Sequence, residues 1–407
     1  MSDWRSSTWG EEITLEYGKA LRSYSETGGQ VQVFGTNGPI GWTDTPLTNG
    51  PGVILGRKGA YRGVHYSKNP FFVIDTAYFV RPKSELDMQW LYYAIIHHQL
   101  GKIDDGSPIP STTRAAVYPR PLEVPRIKEQ RAIAAVLGAL DDKIRHNRKA
   151  AQDLESLARA IFKAWFLDFD PVKAKAAGAT SFQSMSQAVF DTLPNRLIET
   201  DIGLIPYTWE LTPLTELFDI NPSYTLRKGE TAPYLDMKNM PINGHSPDEV
   251  GERPFGSGTK FVNGDTLIAR ITPCLENGKT AFVDFLPDGA IGWGSTEYIV
   301  LKPKVSIPPI FAYLLARTNE FRSFAIQSMT GTSGRQRVPY SALQHFKIPA
   351  PPEEILTDFG NLINPIIARS SAYTRESHAI AQLRDSLLPK LMSGFLRVPM
   401  DVCDEDN

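Results

Sequence analysis

The chain has 407 residues, 42% of them hydrophobic and 22% charged, with a net charge of -2. That length exceeds one ordinary domain, and the composition is that of a soluble globular protein rather than a disordered or fibrous one. Cys274 and Cys403 are the only cysteines, without a CxxC pair or a histidine cluster, so a disulfide scaffold and a structural zinc site are excluded.

The polar opening MSDWRSSTWG has no signal-peptide core, and no apolar run reaches the ~18–20 residues that span a bilayer, so the expectation is a cytoplasmic protein. Residues 1–125 read as a first domain. VILGRKG and FFVIDTAYFV are rich in β-branched and aromatic residues and bounded by turn formers, which predicts strands. GTNGPIG supplies an Asn-Gly turn, and QWLYYAIIHHQL has helical spacing.

Residues 126–168 predict one long helix. Ile133, Leu137, Leu140, Ile144, Asn147, Ala151, Leu154, Ala158, Ile161 and Trp165 follow an alternating 4-3 spacing, a heptad seam with Asn147 as its polar member. Residues 169–205 are polar and small and contain Pro171, and are expected to be a linker. Residues 206–350 predict a second mixed domain, with DTLIARI, TAFVDF and TEYIVLK as strands and PIFAYLLARTNEFRSFAI as helix. Residues 351–392 carry a rougher seam through Leu356, Phe359, Ile363, Ile366, Ser370, Tyr373, Ser377, Ile380, Leu383 and Leu387. An acidic tail closes the chain over 393–407.

The chain repeats itself at a period of roughly 200–224 residues. Trp9 is matched with Trp209, Tyr93 with Tyr313, and Pro125 with Pro349. One globular unit followed by one helix is therefore duplicated. The fold class expected is α+β: two mixed α/β domains with twisted sheets, joined by two long helices that pair antiparallel, with a pseudo-two-fold internal repeat.

Catalytic constellations are missing. Asn221-Pro222-Ser223-Tyr224 is close to the Asn-Pro-Pro-Tyr motif of adenine methyltransferases, but its second proline is absent and no glycine-rich cofactor loop precedes it. Asp236-Met237-Lys238 is only a fragment of a nuclease carboxylate–lysine motif. No GxxxxGK[ST] loop exists for an ATP-driven motor, and the seven His, including the pair His97-His98, do not form a metal set.

Several segments resemble one family, the specificity subunits of type I restriction–modification systems. GTNGPIGWTDTPLTNGPGVILGRKGAYRGVHYSKNPFFVIDTAYFV (35–80) resembles its recognition domain, and NGDTLIARITPCLENGKTAFV (263–283) with GSTEYIVLKP (294–303) resembles another subclass of that domain. IFKAWFLDFDPVKAKAAG (161–178) is similar to the segment after the family's first spacer helix, and GLIPYTWE (203–210) to the entry into its second domain. The lead-in before Trp9 is short, so an abbreviated entry strand is expected in the first domain.

The resemblance implies two target-recognition domains reading the halves of a split double-stranded DNA target, held about one helical turn apart by spacer helices. It also implies partners: two modification subunits that methylate adenine N6 with AdoMet, and restriction subunits that use ATP and Mg. No cofactor or metal is expected in this chain, which would be the non-catalytic subunit. The charge balance argues mildly the other way. Residues 1–125 carry 12 Lys/Arg against 12 Asp/Glu and residues 206–350 carry 14 against 14, so a coiled-coil scaffold with protein-binding heads is the alternative.

Base reading needs hydrogen-bonding side chains at exposed loops. In the first domain the candidates are Arg57, Lys58, Tyr61 and Arg62 at a strand exit, with Thr112, Thr113 and Arg114 in a late loop. In the second they are Arg270, Thr272, Glu276, Asn277 and Lys279, with Thr332, Ser333, Arg335, Gln336 and Arg337 in the late loop.

Overall fold

A computed structural model describes residues 4–24, 28–103, 109–332 and 334–399. It divides into two compact units, Met1–Ile144 with Ala379–Asn407, and Arg145–His378. Each unit contains one domain and a stretch of both long helices.

In the first unit a four-stranded antiparallel sheet runs in the order Ile13–Tyr17, Ala77–Pro82, Gly52–Gly56, Val64–Ser67. Gly52–Gly56 is an interior strand buried at all five positions, which is why its sequence is an unbroken apolar run rather than an alternating one. A second sheet orders Gly38–Thr43, Val31–Gly35, Phe71–Val73, the last two parallel. The second unit repeats this order with one strand added to its second sheet. Its first sheet is Phe218–Ile220, Tyr298–Pro303, Thr266–Ala269, Thr280–Phe282, and its second is Gly251–Pro254, Thr231–Leu235, Gly292–Gly294, Thr259–Phe261. Again one pair, Thr231–Leu235 with Gly292–Gly294, is parallel. The duplication expected from the sequence is thus a duplication of strand order.

A two-stranded ribbon closes each domain just ahead of a long helix. Arg5–Thr8 pairs with Pro121–Val124, and Glu210–Pro213 with Lys347–Ala350. The registers set Arg5 opposite Val124 and Glu210 opposite Ala350. Trp4 therefore corresponds to Trp209, and Pro125 to Pro351. The sequence matches Trp9 with Trp209 and Pro125 with Pro349 are corrected accordingly. The first domain's entry strand is not abbreviated either, for both entry strands have four residues. The position of Trp9 is taken in the second domain by Leu214, and both are fully buried.

The long helices are Ile127–Phe166 and Glu353–Met392, 40 residues each, about 60 Å at 1.5 Å per residue. Within each unit their stretches run antiparallel. In the second unit Asn147 Nδ2 donates to Glu376 Oε2 at 2.8 Å, and Ser370 Oγ to the Ala151 carbonyl at 3.1 Å. In the first, Leu391 and Met392 enter the core that holds Ile133 and Leu137. Along the seam Ile133, Leu137, Ile144, Asn147, Trp165, Phe359 and Ile363 are buried, and Leu140, Leu154, Ile161, Ile366, Tyr373, Ile380 and Leu387 are half-buried. Leu383 departs from the expected seam and is exposed. Glu155, Phe162 and Ile367 are buried as well, because each helix also packs on a domain and its buried stripe is wider than a two-helix seam.

The expected linker over 169–205 is largely folded. Pro171 starts the helix Asp170–Ala176, where its missing N–H costs nothing, and Phe169, Val172, Phe190 and Leu193 are buried in the second unit's core. Of the tail, Val398 packs partly on the first unit's core, while 400–407, with Cys403, lies outside the described residues.

Tyr93 and Tyr313, matched by sequence, do the same job. Each sits on its domain's helix (Met88–His97 and Ile310–Ala316) and donates its hydroxyl to a carboxylate of the first long helix. Tyr93 reaches Asp141 at 2.5 Å in the first unit, and Tyr313 reaches Glu155 at 2.7 Å in the second.

Candidate nucleic-acid interface

In each domain the two segments singled out from the sequence come together. Lys58 and Ser111 form an antiparallel bridge, with Gly59 N–H donating to the Pro110 carbonyl at 3.0 Å and Thr112 N–H to that of Arg57 at 2.9 Å. In the second domain Ile271 and Arg337 form the bridge. Thr272 N–H donates to the Gln336 carbonyl at 3.0 Å and Val338 N–H to that of Arg270 at 2.9 Å. The shared pattern equates Arg57 with Arg270, Ser111 with Arg337, Thr112 with Val338 and Arg114 with Tyr340.

Only some of the candidates face solvent. In the first domain Lys58 is exposed and Tyr61 is 78% exposed. Arg57 is half-buried over the rings of Tyr17 and Tyr78, at 5.1 and 5.9 Å, and its Nη2 donates to the Asp75 carbonyl. The other four candidates of this domain are held within the protein. Arg62 donates to the carbonyls of Gly59, Gly101 and Ile103 at 2.7, 3.0 and 2.8 Å, and so binds the loop base instead of projecting from it. Thr112 is fully buried, donates to the Leu100 carbonyl, and occupies the core position that Val338 fills in the second domain. Thr113 accepts from Ala116 N–H as the cap of the helix Arg114–Val117. Arg114 itself donates Nε and Nη2 to the Leu15 carbonyl and lies 4.5 Å over the Tyr17 ring. Carbonyls of loops and of an edge strand such as Ile13–Tyr17 lack a neighbouring strand's donor, and a guanidinium with five N–H groups supplies several at once.

In the second domain Glu276, Asn277, Thr332 and Arg335 are exposed, and Gln336 is half-buried. Ser333 lies outside the described residues, as does 104–108 before the first domain's late loop. Arg270 stacks 4.2 Å over Tyr340, and Thr272 contacts the Met329 sulfur at 3.8 Å. Lys279 is half-buried, donating to the carbonyls of Met237 and Lys238 at 2.6 and 3.3 Å. Arg337 forms a bidentate ion pair with Glu297, Nε to Oε2 at 3.0 Å and Nη2 to Oε1 at 2.8 Å. Sequence reasoning missed Tyr17, Tyr340 and Glu297. Nothing local marks them, since each is identified only by a partner distant in the chain.

The fragments that resemble catalytic motifs have structural roles. Asn221 adopts a left-handed backbone, with φ 53°, and its Oδ1 accepts from Val300 N–H at 2.8 Å. Tyr224 donates to Asp265, whose buried carboxyl is raised to about 6 by desolvation. Asp236 caps the turn Met237–Asn239. Among the described residues no cluster of His, Cys, Asp and Glu could hold a metal ion, and no helix is long and apolar enough to cross a membrane.

A buried polar cluster lies elsewhere in the second unit. His245 Nδ1 is 3.4 Å from Glu155 Oε2, and its Nε2 is 2.9 Å from Ser371 Oγ and 3.5 Å from Asp284 Oδ2. Burial by itself lowers the imidazole pKa, but hydrogen bonds and charge from Asp284 and Glu155 outweigh it and raise it to about 9. Both carboxyls are correspondingly held below their ordinary values despite burial.

The family model described as type I restriction modification DNA specificity domain matches residues 1–156. The chain is 24% identical over 365 residues to the type I restriction enzyme MjaIX specificity subunit of Methanocaldococcus jannaschii, covering 85% of this chain and 78% of that protein. It is 24% identical over 332 residues to the HindI specificity subunit of Haemophilus influenzae, covering 70% and 71%. The fold is similar to that of a crystal structure of the S subunit of a type I restriction–modification system from M. genitalium. The TM-score is 0.60, with 16% identity and 96% of each chain covered.

Proposed function

We propose that this chain is a specificity subunit of a type I restriction–modification system and that each of its two domains reads one half of a split DNA target. The observation that supports this most directly is the repeated loop platform. In both domains a buried strand (Gly52–Gly56, Thr266–Ala269) ends at an arginine, and that exit is stitched by backbone hydrogen bonds to the late loop. Exposed hydrogen-bonding side chains gather there, on loops that rest on rigid sheets. Lys58 and Tyr61 are those of the first domain, and Glu276, Asn277, Thr332 and Arg335 those of the second, beside the half-buried Gln336. The side chains that occupy the platforms differ, as they must to read unrelated half-sites.

The roles divide by chemistry. Free cations suit phosphates, which position the protein without reading sequence, while amides and oriented arginines suit base edges. Because each domain carries as many acids as bases, phosphate attraction by this chain alone is weak, and stable DNA binding requires partners that add positive charge. In this reading modification subunits dock on the long helices and supply adenine methylation with AdoMet, and restriction subunits supply ATP-driven cleavage with Mg. The chain itself turns over nothing.

Methylome sequencing of a host carrying this chain with its modification partner tests the proposal. The expected result is a split motif methylated at adenine on both strands. Exchanging residues 206–350 for the matching domain of a relative should change one half of that motif. A change in both halves, or in neither, overturns the modular reading.

A further inference from the structure

We propose that Glu297 is a positioning residue that holds Arg337 to read a guanine in the half-site of the second domain. This rests on the DNA-reading function above. Arg337 is fixed at both ends. Its backbone exchanges hydrogen bonds with Thr330 at 2.9 Å in each direction and bridges to Ile271. Its guanidinium is clamped through Nε and Nη2 by the two oxygens of Glu297, and Nη1 donates to the Arg335 carbonyl at 3.3 Å. Glu297 is equally fixed, its carbonyl accepting from Arg270 N–H at 3.0 Å and its N–H donating to Ser295 Oγ at 3.1 Å.

Charge decides what such an arginine can do. Phosphate contacts gain from net positive charge and the counter-ions it releases, and a carboxylate alongside cancels that charge and repels phosphate. What the pair keeps is geometry. With the Nε/Nη2 edge occupied by Glu297, the Nη1/Nη2 end still carries N–H groups whose spacing matches guanine O6 and N7. The Arg337 side chain is 42% exposed against 23% for Glu297, so the cation is the member within reach of a groove. Arg335 is the contrast: exposed, with no ion pair among the described residues, it suits a phosphate. Nor does closing the loop require the ion pair. The first domain makes the same bridge with Ser111 in place of Arg337 and Thr76 in place of Glu297, Arg57 N–H donating to the Thr76 carbonyl at 3.0 Å. The clamp is private to the second domain, as a reader of an unrelated half-site should be.

The test uses the chain assembled with its modification subunits. Target duplexes substituted at every position compete for Glu297→Gln, Arg337→Lys, Arg337→Ala and Arg335→Ala variants, and the methylated motif of each is sequenced. Glu297→Gln, Arg337→Lys and Arg337→Ala should all lose preference for the same single guanine, by about 5- to 150-fold, with the first half-site unchanged as the internal control for folding. Arg335→Ala should instead weaken all duplexes alike and lower the salt slope by about 1. The proposal is overturned by a second half-site without guanine, or by unchanged preference in Glu297→Gln or Arg337→Lys. Equal loss at every position of that half-site, the mark of a collapsed loop, overturns it too. A wild-type complex that selects no sequence defeats the DNA-reading function itself, a result distinct from a split motif indifferent to Glu297.

Discussion

The two domains share a strand order yet fasten to the first long helix through different chemistry. In the first unit Tyr93 donates to Asp141, and Arg384 from the second long helix completes that carboxylate at 2.6 Å. Asp141 is 22% exposed, so water helps to solvate the group. In the second unit Tyr313 donates to Glu155, and the balancing cation is His245, only 2% exposed and shared with Asp284 and Ser371. The fold determines where the tyrosine points. Burial determines what must balance the carboxylate: a half-exposed site tolerates one arginine, whereas a buried one needs its charges and lone pairs answered from several sides. An imidazole does this compactly, because its two nitrogens face different partners.

Removing one partner should therefore break the two units unequally. His245→Ala or Glu155→Ala leaves buried charge unpaired and should cost the second unit about 3–5 kcal/mol. Hydrogen exchange on the full chain measures this, with amides of 145–378 losing protection while those of 1–144 keep theirs. Uniform loss across both units would mean that the fastenings are not local.

The same contrast should appear as pH dependence. His245 has its pKa raised from 6.5 to about 9, so its stabilisation is complete below about 6.5 and lost as pH rises through about 9. At 1.36 kcal/mol per unit the loss is at most about 3 kcal/mol. Glu155 and Asp284 act oppositely: their pKa values are lowered, so their contribution is present above the ordinary carboxylate range and disappears as acid protonates them. Protection of the second unit should hence peak between these limits, and His245→Ala should abolish its alkaline limb. A wild-type profile flat from pH 6.5 to 9.5 would show that His245 is not charged in the folded protein.

Asp141→Asn should have a smaller effect, about 1 kcal/mol on the first unit and less at high salt, since solvent screens the partly exposed pair with Arg384. The smallest effect on stability belongs to Lys58→Ala and Tyr61→Ala, within about 0.5 kcal/mol, because both side chains face solvent. In the assembled complex Lys58→Ala should still weaken DNA binding evenly across sequences and lower the salt slope by about 1. Unchanged binding by both variants would remove that loop from the interface.

Much of the architecture was legible in the sequence because it depends on periodicity. The 4-3 spacing from Ile133 to Trp165 marks a helix seam whatever surrounds it, and Gly52–Gly56 reads as a buried strand from its apolar run alone. Residue type and repeat position were likewise enough to pair Tyr93 with Tyr313 and to locate both loop platforms. Tertiary structure decided which polar side chains on those platforms are available. Arg114 looks free in its loop, yet it is held by the carbonyl of Leu15, 99 positions earlier. Arg62 is held by Gly101 and Ile103, and Arg337 by Glu297, 40 positions away. The repeat register was decided in the same way, since hydrogen bonds between strands, not the nearest tryptophan, equate Trp4 with Trp209. Hydrophobic period is a property of neighbouring residues and is written locally. A polar group's partner is whichever donor or acceptor the fold brings within about 3 Å, and no local pattern records it.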